Sequence, residues 1–128
     1  MARHTAANAV PPVDGTELGN LLDDLAGCHP GIDLIRDGLR LIALDQHTPD
    51  TTQTLVAYLA GSAGADILTA IGQTVAHLTS PDTNPALRTL PDDQQKTAQH
   101  HGENLVHHLA DPDLHQHASE AAAAIDGI

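Results

Sequence analysis

Leu18, Leu21, Leu22 and Leu25 recur at i, i+3, i+4 and i+7, a spacing that puts aliphatic side chains on one stripe of an α-helix and cannot line one face of a strand. The period returns in Ile32, Ile35, Leu39 and Ile42, and again in Leu68, Ile71, Val75 and Leu78. Start and stop signals frame these stripes. Asp14 and Glu17 have capping-box spacing, with Val13 and Leu18 placed as a hydrophobic staple, and Gly27 is suited to end the helix. Pro30 opens a second helix expected to run to about Gln46, and Thr48-Pro49-Asp50 opens a third whose inner face is Leu55, Val56 and Leu59. Gly61-Ser62-Ala63-Gly64 then favours a break, because each glycine costs roughly 1 kcal/mol in a helix interior, the alternative over 49–79 being one kinked helix whose small residues allow close packing. A fourth helix is expected over about 65–79, followed by a loop with Pro81, Pro85 and Pro91. A fifth runs from about Asp92, with Gln95 completing a capping box, to Ala110. A sixth restarts at Asp111-Pro112-Asp113 and carries Leu114, Ala118, Ala121 and Ile125. No segment shows strand-like alternation. The expected architecture is all-α: a single-domain helical bundle of five or six helices over 14–128, preceded by a flexible N-terminal tail over 1–13, and 128 residues fit one such domain.

Composition narrows the function. Seventeen acidic residues against five basic ones give a formal charge of −12, and there is no Phe, no Trp and a single Tyr58. Phosphate contacts need clustered Lys and Arg, and base stacking needs rings, so nucleic acid is not an expected partner. Pockets walled by aromatic rings are demoted for the same reason. Cys28 is the only cysteine, so no intrachain disulfide can form. The first residues lack the apolar run of a signal peptide, and no window is apolar enough for a membrane span, so a cytoplasmic protein is expected. Few Lys and abundant Ala, Asp, His and Thr fit translation of a GC-rich bacterial genome.

The histidines are the compositional anomaly. His100, Glu103 and His107 fall on one face of the fifth helix, opposite Ala98, Leu105 and Leu109, with the two imidazoles about 10.5 Å apart along the axis. One metal ion therefore cannot take both without help from the sixth helix, so a divalent transition metal would use His100, Glu103, His107 and His115, with His117 or Asp111 as further donors. None of the established two-histidine spacings is present, and the plainer expectation is a solvated histidine surface and no cofactor. The segment Gln99–Ala118 holds six histidines, three acids and no Lys or Arg. Its formal charge runs from −3 to +3 on full protonation, and mutual repulsion is expected to loosen the last two helices below about pH 6.

No nucleophile is framed. Cys28-His29 sits on a turn with no orienting third group, and Ser62, Ser80 and Ser119 lack a Gly-x-Ser-x-Gly setting. Asp23-Asp24 and Asp92-Asp93 are adjacent on helices and do not face each other. The second helix, by contrast, has a spare apolar face: Leu34 and Leu41, with Leu44, lie well round from the Ile32–Ile42 stripe. The leading expectation is an acidic protein-interaction or regulatory module without catalytic activity. It would bind a protein partner, with a homodimer through the second helix or the Gly61–Gly64 segment among the options. The alternatives are a metal-binding protein built on the fifth and sixth helices, and a small helical enzyme or ligand binder with an aliphatic pocket.

Overall fold

The helices begin where the sequence supplies a cap for their free N–H groups. In the computed structural model, which describes residues 9–127, these are α1 (Glu17–Asp24), α2 (Pro30–Leu44), α3 (Pro49–Val56), α4 (Ile67–Thr79), α5 (Asp92–Leu109) and α6 (Pro112–Asp126). A π-helical turn, Ala57–Gly61, continues α3, and a 3-10 turn, Pro85–Thr89, interrupts the α4–α5 connection. No strand occurs among the described residues, and the fold is all-α. None of the described helices is long and apolar enough to cross a membrane. The chain clusters into two compact units, Met1–His47 and Thr48–Ile128.

The first unit contains α1 and α2. The expected Asp14 cap is replaced by Thr16, whose hydroxyl oxygen accepts from Gly19 N at 3.1 Å while its O–H donates to the Val13 carbonyl at 2.5 Å. The helix therefore starts at Glu17, and the chain before it folds back so that Val13 is buried. A Cβ on Gly19 would collide with the Val13 carbonyl, so only glycine admits this return. Of the tail expected over 1–13, residues 1–8 lie outside the described residues. Leu22 is 1% exposed and is the deepest side chain of the unit. Gly27 takes φ +83° after α1, as its position predicted, and its N–H donates to Asp33 Oδ1 at 2.9 Å. His29, not foreseen as a cap, starts α2 by accepting from Gly31 N through Nδ1 at 2.9 Å.

The second unit is held by close backbone approaches at glycines. Gly72 lies under Leu109, and Gly102 lies under Thr79 and Ala76, so α4 and α5 run antiparallel with their small residues in register. The α4 carbonyl end is satisfied by the following loop, through Thr83 Oγ1 to His77 O at 2.6 Å and Asn84 Nδ2 to Leu78 O at 2.9 Å. The capping box expected at Asp92 and Gln95 does not form. Pro91 precedes α5 without a side-chain cap, and Gln95 Nε2 donates to Leu90 O instead. Segment 49–79 is two helices with a break at Ser62, as the glycines predicted, but the first runs on through the π turn to Gly61. There α6 crosses, its backbone at Ala118 and Ser119 coming within 3.2–3.3 Å of where a Gly61 Cβ would stand. Gly61 is thus approached from within its own unit, whereas Ala63 and Gly64 of the same segment are exposed.

Candidate functional site

The most buried side chains of the second unit are polar. Asp66, Thr69 and His115 are at most 8% exposed, and Ala122 is the one buried aliphatic residue beside them. Their arrangement follows from the break after the π turn. Gly64 takes φ +84°, a conformation that side-chain-bearing residues resist, and so turns the chain into Asp66. Asp66 caps α4: its Oδ1 accepts from Thr69 N at 2.9 Å and Thr69 Oγ1 at 2.7 Å, and its Oδ2 accepts from Ser62 N at 3.0 Å. The Thr69 hydroxyl oxygen also accepts from Gly64 N at 3.1 Å, which closes the loop on itself. Into this loop α6 inserts His115. Its Nδ1 lies 2.6 Å from Asp66 Oδ2 and 3.0 Å from Ala60 O, and its Nε2 donates to Leu109 O at the end of α5.

With Asp66 ionised, every group facing the His115 ring nitrogens is an acceptor, which favours a ring protonated at both. The arrangement favours an imidazolium paired with an aspartate in a nearly dry site, with side-chain exposures of 3% and 0%. The titration of each partner moves accordingly. The Leu109 carbonyl raises the His115 pKa from its ordinary 6.5, and the Asp66 contact adds to this against the opposing effect of burial. Burial pushes the Asp66 carboxyl upward, but donation from the Thr69 hydroxyl, the Thr69 and Ser62 amides and His115 overcomes it and leaves the pKa below 3.8.

An aspartate on a histidine Nδ1 is also the orienting half of a catalytic triad, in which Nε2 must face a nucleophile. Here Nε2 is occupied by a carbonyl that can only accept. No ring nitrogen is left to act as a base. A cavity of about 470 Å³ opens beside the pair, walled by Gly61, Ala63, Pro112, Gln116, Ser119 and Glu120. Its walls mix small and polar side chains and include no Leu, Ile or Val.

The four candidate metal ligands are not brought together. His100, Glu103 and His107 are exposed on α5. Glu103 Oε1 accepts from Gln99 Nε2 at 3.3 Å, His100 Nε2 meets Asn104 Nδ2 at 3.1 Å, and among the described residues Glu103 forms no ion pair with either imidazole. His115 points the other way and has both nitrogens engaged. No group of three His, Cys, Asp or Glu able to hold a metal ion occurs among the described residues. This also corrects the picture of six surface histidines, because His115 belongs to the interior and its charge is compensated there.

The candidate interface residues do lie on the surface. No residue of α2 is buried, and Leu34 is 74%, Leu41 68% and Leu44 38% exposed. Leu41 and Leu44 form a shallow depression of about 310 Å³ with Asp37 and Arg40. Both arginines of the helix are already paired, Arg36 with Asp37 at 3.0 Å and Arg40 with Asp23 at 3.0 Å and Asp14 at 3.6 Å. Residues 9–47 carry seven acids (Asp14, Glu17, Asp23, Asp24, Asp33, Asp37, Asp45) against these two arginines, a formal −5. The rim of the leucine face is therefore negative.

Comparison with protein-family models, with curated proteins and with solved structures finds no match to this chain.

Proposed function

We propose that this chain is a small acidic interaction module of the cytoplasm, without catalytic activity of its own, that presents α2 to a partner protein. The observation that carries the reading is α2 itself: fifteen residues, none buried, with Leu34 and Leu41 more than two-thirds exposed. Adjacent exposed leucines on one helix face mark interaction surfaces, whereas scattered ones do not. The negative rim selects the partner's chemistry. A second copy would bring a like charge of −12 against it, whereas a helix with an apolar stripe flanked by Lys and Arg meets both leucines and acids favourably.

Seating Leu34 and Leu41 in a partner would contribute about 2–4 kcal/mol, taking 1.5–3 kcal/mol for full burial of each and discounting for what is already covered. Replacing both by Ala therefore weakens the complex roughly 30- to 1,000-fold. The test is affinity capture from the native cell with wild-type chain and with Leu34→Asp/Leu41→Asp as paired baits. The reading expects one protein that carries a basic amphipathic helix, retained by the wild type and lost by the variant. Equal retention of every captured protein by both baits would refute it.

A further inference from the structure

We infer that α6 is a latch, held shut by the protonated His115 ring and released from α3 and the π turn when that ring loses one proton. Little aliphatic packing holds α6 down. Its inward face is His115, Ala118 and Ala122, while Leu114 is 51% and Ile125 39% exposed, so the helix buries little aliphatic surface. The ring supplies what the alanines do not. It ties three separate elements together: Ala60 O in the π turn, Asp66 ahead of α4 and Leu109 O at the end of α5.

Removal of one proton leaves a lone pair on one ring nitrogen. At Nδ1 it would face the Asp66 carboxylate and the Ala60 carbonyl; at Nε2 it would face the Leu109 carbonyl. Either way an acceptor meets an acceptor in a site with almost no water. Asp66 cannot swing aside, because Ser62 N, Thr69 N and Thr69 Oγ1 hold it as the cap of α4. The movable partner is α6. Among the described residues Asp66 forms no other ion pair, the other titratable side chains on the wall of the adjoining cavity, Asp113 and Glu120, are acidic, and the π turn and the end of α5 meet the ring through the Ala60 and Leu109 carbonyls. The Asp66 charge favours the closed, protonated state. The α4–α5 hairpin is packed along its length through Gly72 and Gly102 and meets His115 only at its ends, at Asp66 ahead of α4 and Leu109 O at the close of α5, so it stays folded when the latch opens.

The direction is fixed by linkage. The His115 contribution to docking is complete below its ordinary pKa of 6.5 and is lost as pH rises through the raised value of the closed state. Between those two points α6 opening grows by about tenfold per pH unit, the slope for one linked proton. The experiment is ring nitrogen NMR on the full 15N-labelled chain from pH 5.5 to 9.5, with amide exchange of α6 read beside that of α4 and α5 and corrected for intrinsic rate. Both His115 nitrogens should be protonated at pH 6.5, and α6 protection should fall in step with their titration while α4 and α5 hold. A neutral His115 at pH 6.5 would overturn the inference, as would α6 protection that stays constant through the titration or a loss shared equally by α4 and α5. Asp66→Asn offers an amide donor to a neutral ring, and His115→Gln offers a side chain that does not titrate. In whichever of them folds, α6 exchange should no longer depend on pH between 6.5 and 9, and a dependence as steep as in the wild type contradicts the latch.

Discussion

The same chemical change, glycine to alanine, should have opposite effects at Gly102 and Gly38. Both lie inside helices, where alanine is favoured over glycine by about 1 kcal/mol. Gly38 has no heavy atom within 4 Å of the position a Cβ would take, so Gly38→Ala should gain close to that amount. At Gly102 the new Cβ would collide with Thr79 Oγ1 and stand 3.1 Å from Thr79 Cβ and 3.3 Å from Ala76 Cα. Ala76 Cα is backbone and cannot rotate away, so α4 and α5 must separate. Overpacking of this kind costs about 1–3 kcal/mol. Set against the helix gain, Gly102→Ala should lose up to about 2 kcal/mol. Thr79→Ala removes the hydroxyl in the collision and sacrifices only its intrahelical bonds to Val75 O at 2.9 Å and Ala76 O at 3.3 Å, so the double variant should recover at least half of the loss. Urea unfolding followed by circular dichroism gives the totals, and amide exchange on α2 and on α4–α5 assigns each effect to its own unit. Stabilisation by Gly102→Ala equal to that by Gly38→Ala, or no recovery with Thr79→Ala, would refute the close helix approach.

Gly19→Ala should loosen the start of α1 by about 1–3 kcal/mol, because its Cβ meets the immovable Val13 carbonyl, and α1 amide exchange reads the change. Thr16→Ala, which removes the cap alone, should cost about 1 kcal/mol in the same assay. In place of the loosening below about pH 6 expected from histidine repulsion, the second unit should be most stable between pH 3.8 and 6.5: the Asp66 contribution is lost as pH falls through its lowered pKa, and the His115 contribution as pH rises through its raised one. Thermal melts across pH 3–9 check this, and a stability that keeps rising above pH 7 would contradict the paired ionisation. Added zinc or a chelator should leave the melting midpoint unchanged, since no three donors converge among the described residues.

Much of the fold was legible because caps and periods agree with one another. Pro30, Thr48-Pro49, the Gly61–Gly64 break and Asp111-Pro112 all mark real boundaries. The first boundary misled, since Asp14 has the right spacing but Val13 folds back over Gly19 and hands the cap to Thr16, a tertiary effect that no local pattern contains. The polar interior was missed for a related reason. On α6 the reading took Leu114, Ala118, Ala121 and Ile125 as the inner stripe because they are apolar. The helix instead turns toward His115 and Ala122, spaced at i and i+7 with Ala118 between them. The signal was present in Asp66 and Thr69, a capping pair directly after a glycine-broken helix, but its partner lies 49 residues away and only the fold joins them. Leu34 and Leu41, by contrast, were readable as a spare face from helical angle alone, and they are exposed.

The central claim is that α2 meets a cationic partner through its leucine face. Its most direct test is a photo-crosslinking residue placed at Leu41 of the full chain in its native cell, with a second at Asp82, in the α4–α5 connection, as control. The account predicts an adduct at position 41 and not at 82, in which the crosslinked peptide comes from another protein and alternates apolar residues with Lys or Arg at helical spacing. An adduct formed only with a second copy of this chain, or equal labelling at both positions, would contradict it.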